Sequence, residues 1–383
     1  MYEFGAAEID AAVRVLSSRQ LFRYLPDAQE ADRFEEALAH RLGARHAVAV
    51  NSGTAALICG LTALGIGPGD EVIVPAYGFV ASVLAPLAVG AVPVVAEINE
   101  SLTLDPADLR NKITARTRAV IPVHVHGFAA DLGEICAVAA EHHLGVLEDA
   151  CQAIGGTYRG RHLGTIGDAG AFSFNQHKIL TAGEGGALVT SDPQLRDRAF
   201  LTHDGSSMFS RHQFGVPDFA GLAFRISEIS AAVLSAQLSR LDEILDGLRE
   251  ARDRVGAALA SAAPLKPIPV HDPAGSCGTN LGYLFESDEE AGLFLTAVDG
   301  DEIEAFQGIG YGHSYPEWEL LHGRRGGYHP RRNPLLDTVW EQVSSGCGRS
   351  QDILRRCVLV RYPLRPSEDA VAGLRQRVAQ AFG

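Results

Sequence analysis

The sequence predicts an α/β fold in which helices flank a mainly parallel sheet, with a smaller α+β C-terminal domain following. Three observations predict it. Short apolar runs alternate with helical patterns through the first two thirds of the chain, as expected of successive βαβ units. A long amphipathic stretch from Phe224 to about Arg254 reads as one helix that carries the chain out of the sheet domain. Beyond it, the proline- and glycine-rich "SAAPLKPIPVHDPAGSCGTN" marks a boundary, so the expected division is a large domain over 1–254 and a small one over 255–383.

Taken in order, the N-terminal "MYEFGAAEIDAAVRVL" carries early acids and lacks the basic and apolar segments of a secretory leader. "HAVAVNSGTAALICGLTALGIGPGDEVIVP" reads as a strand, a helix opening at Ser52 or Thr54, a glycine/proline stop and a second strand. Its "LGIGPG" echoes a dinucleotide fingerprint, but it follows a helix where the fingerprint follows a strand, so it reads as a helix C-cap and turn. Between Glu71 and Glu97 there is no formal charge, a length that can span a bilayer. Pro75, Gly78, Pro86, Gly90 and Pro93 interrupt it, which favours strand, helix and strand in a buried unit. "RAVIPVHVHGFAADLGEICAVAAEHHLGVLEDA" repeats the pattern, with strands near 118–123 and 144–148, and "GAFSF" adds another.

Composition narrows the class. A chain of 383 residues, at about 150 per domain, has room for two or three domains. Hydrophobic residues make up 46% and charged residues 21%, an ordinary soluble balance. The net charge of −14 argues against nucleic acid or an anionic membrane as partner. Six cysteines, scattered without a CxxC pair, point to reduced thiols in the cytoplasm and away from a zinc site or disulfide framework.

Three places carry chemistry. In "VAVNSGTAAL" a strand gives way to a helix at Ser52, Gly53 and Thr54, either an anion site of free N–H groups at a positive helix end or a plain N-cap. "GVLEDACQAIGG" puts Glu148 and Asp149 at the end of an apolar strand, where α/β sheets bind ligands and where a charge is paired, capping or functional. Lys178 follows "GAFSF", 29 residues beyond Asp149, with "GEGG" close behind. An acid to keep a pyridine nitrogen protonated, a lysine to hold the cofactor covalently and a helix end for a phosphate are what pyridoxal 5'-phosphate requires. Lys178, once displaced by an incoming amine, becomes a base placed to move the Cα proton.

The blocks "FEEALAHRLGARHAVAVNSGTAAL", "GDEVIVPAYGFVAS", "PVHVHGFAADL", "LEDACQAIGG", "GDAGAFSFNQHKILTAGEGGALVT" and "FRISEISAAVLSAQLSRLDE" span residues 34–243. In that order they resemble the DegT-like sugar aminotransferase family of fold-type I pyridoxal-phosphate enzymes. The resemblance implies that Lys178 anchors the cofactor, Asp149 pairs with the pyridine nitrogen, Gln152 lies near the ring hydroxyl and Phe79 stacks on the ring. It also implies that Ser173 joins Gly53 and Thr54 at the phosphate; without it, Phe79 reads as core packing and Ser173 as a strand hydroxyl. Family members that are sugar dehydratases carry histidine where this chain has Lys178, so the lysine favours transamination, with His177 only a neighbour. The implied reaction moves an amino group from glutamate or glutamine to a keto-sugar or cyclitol in a cytoplasmic homodimer. A lyase of the aminobenzoate-synthase type and a non-catalytic sensor are the alternatives. The chain departs from the family at Ala223, where an asparagine commonly reaches the partner subunit's phosphate; Arg225 is then a candidate substitute. "GYGHSYPEWELLHGRRGGYHPRRNP", with four arginines, is either a recognition segment or a solvated loop.

Overall fold

The computed structural model describes residues 4–25, 27–205, 214–327, 329–336 and 347–382. Two helices, α1 (Ala6–Ser18) and α2 (Glu30–Leu42), precede the sheet. In α2, Phe34, Leu38 and Leu42 fall on one buried face, and Gly43 ends the helix at φ 72°, the left-handed conformation that glycine adopts without strain. The α/β run follows as β1 (His46–Val50), α3 (Gly53–Ala63), β2 (Glu71–Pro75), α4 (Ala81–Val89), β3 (Val92–Ala96), α5 (Pro106–Lys112), β4 (Thr117–Val120), α6 (Leu132–Glu141) and β5 (Gly145–Asp149). A short hairpin, β6 (Thr157–Tyr158) and β7 (Arg161–His162), leads to β8 (Ala169–Ser173), β9 (Gly186–Thr190) and α7 (Pro193–Asp204).

Seven of these strands form one sheet in the order β1-β9-β8-β5-β4-β2-β3. The pairs from β8 across to β3 are parallel, and β9 alone runs against its neighbours. Every residue of β2, β3, β8 and β9 is buried, so the sheet is covered on both faces and its strands read as apolar runs rather than alternating ones. The charge-free stretch is thus β2, α4 and β3, and no helix among the described residues is long and apolar enough to cross a membrane.

One element differs from expectation. The helix expected from Phe224 to Arg254 is two, α8 (Glu228–Ser239) and α9 (Leu241–Ala262), broken at Arg240, which has φ −107° and ψ 8°. Two different cores demand the break. Ala231, Leu234 and Leu238 of α8 pack with α2 and the sheet, and Ala232 packs on Ala11 and Val15 of α1. α9 begins in the first core at Leu241, Leu245 and Leu248 and finishes in another at Val255 and Leu259. Arg240 itself reaches Glu8 of α1 at 3.4 Å.

The second core belongs to the C-terminal part. There β10 (Asn280–Leu284), β12 (Cys357–Arg361) and β11 (Glu304–Gln307) form an antiparallel sheet in that order, with α10 (Asp288–Val298) joining β10 to β11. Phe294, Val298, Val358, Val360, Leu374 and Val378 pack there with the second half of α9. The expected boundary at 254/255 therefore falls inside a helix that serves both cores.

Candidate active site

Strands β5 and β8 lie side by side, with Asp149 at the end of β5 opposite Ala171 and β8 running on to Ser173. Asp149 is buried. Its Oδ2 accepts a hydrogen bond from the Ser82 hydroxyl of α4 at 2.7 Å, and Oδ1 accepts from the Cys151 N–H at 3.2 Å. No cation among the described residues pairs with it, and a buried carboxylate served only by neutral donors is costly unless a positive group joins it. Glu148, one residue earlier, points to the other face and does a different job. Fully buried, it accepts from the Gly164, Ile166 and Gly167 N–H groups at 2.6–2.7 Å and bonds His124 Nε2 at 2.9 Å. The sheet's period-2 alternation separates the two acids.

Lys178 sits half-buried on the loop after β8, its backbone N–H bonded to the Asn175 carbonyl at 2.9 Å. Its ammonium makes no hydrogen bond or ion pair among the described residues. Its positive charge opposes the rise that burial imposes on the Cys151 thiol, two residues past the end of β5. His177 beside it is exposed.

At the start of α3 the Ser52 hydroxyl takes the Ala55 N–H at 3.1 Å, which leaves the Gly53 and Thr54 N–H groups without an acceptor among the described residues. Ser173 closes on this point: a Cβ on Gly53 would lie 2.8 Å from both Ser173 Cβ and Cys151 Sγ. A Cβ on Gly186 would lie 2.3 Å from the Ser52 carbonyl, so β9 approaches the helix start only because that residue is glycine. Free N–H groups, a hydroxyl and a helix N-terminus together make an anion cradle.

With this geometry in hand, comparison with known proteins decides the family. A profile of the DegT/DnrJ/EryC1/StrS aminotransferase family matches residues 3–298. The chain belongs to that family. GDP-perosamine synthase of Caulobacter vibrioides is 44% identical over 223 residues, which is 58% of this chain and 58% of that protein. The dTDP-3-amino-3,4,6-trideoxy-alpha-D-glucose transaminase of Streptomyces venezuelae is 45% identical over 245 residues, 63% of this chain and 62% of that one. The chain therefore matches less than two thirds of either relative's length. A putative L-glutamine:3-amino-2,3-dideoxy-scyllo-inosose aminotransferase of Streptoalloteichus tenebrarius is 36% identical over 354 residues, covering 84% and 83%. Among solved structures, 3-amino-5-hydroxybenzoic acid synthase superposes with a TM-score of 0.83 at 28% identity, over 99% of this chain and 97% of that one. The S. venezuelae DesV ketimine complex gives 0.79 at 32% identity, over 98% and 94%. The likenesses bear out both the family read from residues 34–243 and the fold class.

The other expected family positions fall around the same strand ends. The Gln152 carbonyl accepts the His126 N–H at 2.8 Å, so the amide presents its NH2 half elsewhere. Phe79, between β2 and α4, is 47% exposed, too open for core packing, and its ring lies 5.8 Å from that of His313. Ala223 is exposed near the α3 cradle, since its neighbour Phe224 accepts the Asn51 N–H at 2.8 Å. Arg225 is engaged by Asp204 at 2.8 Å and lies over Phe22. Residues 313–315 pair with 76–78, through Gly78 N–H to the His313 carbonyl and Tyr315 N–H to the Ala76 carbonyl, both at 2.8 Å. The arginines at 324, 325, 331 and 332 are exposed.

Sequence reasoning missed Ser82, Tyr77, His126 and His313. Ser82 had a signal, as the lone aliphatic hydroxyl between Glu71 and Glu97. His126 had none, because "HVH" does not show that His124 serves Glu148 while His126 meets the Tyr77 hydroxyl.

Proposed function

We propose that this chain is a pyridoxal 5'-phosphate-dependent aminotransferase that moves an amino group from glutamate or glutamine to a keto-sugar or cyclitol ketone by a ping-pong cycle in amino-sugar or natural-product biosynthesis. One observation carries the reading: a buried Asp149 and a half-buried Lys178, neither with an ion-pair partner among the described residues, stand beside the anion cradle at the start of α3. The residues fit the cofactor. Bound there, it supplies the electron sink for the breaking Cα–H bond. Asp149 keeps the pyridine nitrogen protonated, and Ser82 fixes the orientation of its carboxylate. Gly53, Thr54 and Ser173 hold the phosphate by N–H and hydroxyl donors, the Gln152 NH2 serves the ring hydroxyl, and Phe79 covers the ring face. Lys178 would hold the cofactor covalently and, when freed, would serve as the base that takes the substrate's Cα proton and gives it back. The working form is a cytoplasmic homodimer, with a large cofactor domain and a small C-terminal domain that share helix α9.

A second reading, a lyase of the aminobenzoate-synthase type, is favoured by the 0.83 TM-score with 3-amino-5-hydroxybenzoic acid synthase. One spectrum separates the two. Protein loaded with pyridoxal 5'-phosphate is expected to show a visible band that glutamate or glutamine bleaches, and borohydride reduction is expected to fix the cofactor's mass on the Lys178 peptide but not in Lys178→Ala. No band, or a label elsewhere, refutes the cofactor assignment; a band that no amino donor bleaches turns the assignment to the lyase.

A further inference from the structure

A continuous run of rings joins Phe79 to the C-terminal sheet. From Phe79 the next ring is His313 at 5.8 Å, then Tyr311 at 5.6 Å, and Tyr311 stacks at 4.7 Å on Phe306 of β11. Arg361, at the end of β12, lies over both Phe306 and Tyr311. From the large domain His126 meets the same run, 6.3 Å from His313 and 5.7 Å from Phe306, with its Nε2 2.8 Å from the Tyr77 hydroxyl. His126 has φ 53°, unusual for a non-glycine residue, and both its peptide groups are held: the N–H by Gln152 and the carbonyl by the Thr279 hydroxyl. The wall starts at Phe79, the ring expected to cover the cofactor, and the backbone bonds from Gly78 to His313 and from Tyr315 to Ala76 hold it there.

The hydrogen bonds fix which atom His313 presents. Its Nδ1 lies 2.9 Å from the Tyr311 carbonyl, and a carbonyl can only accept, so Nδ1 carries the proton. Burial, aided by Lys178 and Arg361 and opposed by the Tyr311 carbonyl and Glu317, disfavours a second proton on the ring. Nε2 is therefore a lone-pair acceptor, and no described residue donates to it. Beside the His313 ring lie those of Phe79 and Tyr311, and the exposed ring of Phe79 suits the C–H face of a saturated ring. A dicarboxylate offers Nε2 no donor; a ring hydroxyl does.

We propose that this wall is the acceptor subsite, and that His313 selects a polyhydroxylated cyclic ketone by accepting a hydrogen bond from one of its ring hydroxyls at Nε2, with His126 positioning that side of the wall. The inference rests on the aminotransferase reading and names the residues that choose its acceptor.

The two half-reactions separate the possibilities, because each changes the same visible band of the cofactor-loaded protein. Glutamate probes the donor half. dTDP-3-amino-3,4,6-trideoxy-α-D-glucose, bleaching the band in reverse, and 3-amino-2,3-dideoxy-scyllo-inosose, restoring it after glutamate, probe the acceptor half. In His313→Phe, which keeps a ring and loses the acceptor, the sugar or cyclitol rate is expected to fall at least about tenfold further than the glutamate rate, as for other sites built to hydrogen-bond a substrate hydroxyl. His313→Gln, which restores an acceptor oxygen, is expected to recover part of that loss. Equal loss in both halves, no loss in either, or glutamine behaving as phenylalanine overturns the inference. A wild-type protein bleached by glutamate yet unresponsive to both ring probes overturns it while leaving the aminotransferase reading in place. A protein that glutamate does not bleach removes that reading as well.

Discussion

Glu148 and Asp149 are neighbours in sequence with opposite duties, and substituting each by its amide tests the division. Ala130 donates its N–H to His124 Nδ1 at 3.1 Å, so Nε2 carries the proton and donates to Glu148. The Glu148 carboxylate thus accepts four bonds, two on each oxygen. In Glu148→Gln the amide nitrogen, whichever way it turns, faces two donors. Each orphaned buried donor costs about 1–3 kcal/mol, and the surviving pair loses its charge assistance. Relief of the carboxylate's own desolvation offsets part of this. The expected net loss is about 2–4 kcal/mol, or about 2.5–5 °C in Tm for a chain of this size, with the cofactor band retained. In Asp149→Asn the Ser82 hydroxyl can rotate to donate or accept, so stability should change by no more than about 1 kcal/mol. An amide cannot hold the ring nitrogen protonated, so bleaching by amino donors should fall by orders of magnitude. Thermal melts by circular dichroism and the visible spectrum read both variants. A Glu148→Gln melt within about 1 °C of wild type, or an Asp149→Asn variant that glutamate still bleaches at the wild-type rate, would refute the division of labour.

Three further outcomes are expected. Gly186→Ala, whose Cβ would meet the Ser52 carbonyl at 2.3 Å, should lower stability by about 2 kcal/mol or more and weaken pyridoxal phosphate binding in equilibrium dialysis, whereas Gly292→Ala, in open space on α10, should stabilise by about 0.5–1 kcal/mol. Ser82→Ala leaves the Asp149 Oδ2 without its donor and should slow bleaching by glutamate with little change in the melt beyond about 1–3 kcal/mol; an unchanged bleaching rate counts against Ser82 as the residue orienting Asp149. His126 is held neutral, first by burial and then by the nearby positive charges of His313 when protonated, Arg361 and Lys178, so the folded chain refuses a proton that the unfolded chain takes near pH 6.5. Stability is then full above about pH 6.5 and falls as pH drops below it, by up to about 1.4 kcal/mol per pH unit for this one group; urea midpoints at pH 7.5 and 5.5 that coincide would contradict it.

What the sequence disclosed follows from where its physics is local. Parallel strands buried on both faces are apolar at every position, so β2 and β3 stand out in the text, and Asp149 and Lys178 stand out as charges at their neighbours' ends. The glycine at 53 was legible as part of a helix start; the glycine at 186 was not, because its need arises from the Ser52 carbonyl at the start of α3, far away in sequence. The break at Arg240 was hidden because Leu238, Leu241, Leu245 and Leu248 continue an unbroken apolar spacing, and periodicity records which residues are buried, not which core buries them. Arg225 could be named as a candidate, but its pairing with Asp204, 21 residues earlier, is a tertiary contact that no local pattern encodes. The acceptor wall was invisible for the same reason: its rings come from positions 77–79, 126 and 306–313, and no window of sequence contains them together.

Helix α4 explains how chemistry and selection stay in register. Ser82 in its first turn holds the carboxylate expected to fix the ring nitrogen. Leu87 near its last turn packs, in one cluster, with Tyr315, Trp318, Leu321 and Leu335, the segment that follows His313. The backbone bonds at Ala76 and Gly78 tie the same segment to the strand that feeds α4. A displacement of α4 therefore moves Asp149's partner and the acceptor wall together, so the wall keeps its position relative to the ring. The wall's own geometry is freer: Gly310 and Gly312 beside it have φ of 87° and 74°, with nothing within 4 Å of an added Cβ. Changes there meet backbone strain but no packing, while changes at Gly53 or Gly186 meet atoms of the cradle itself. Acceptor choice can thus be altered from the C-terminal segment without disturbing the groups that hold and activate the cofactor.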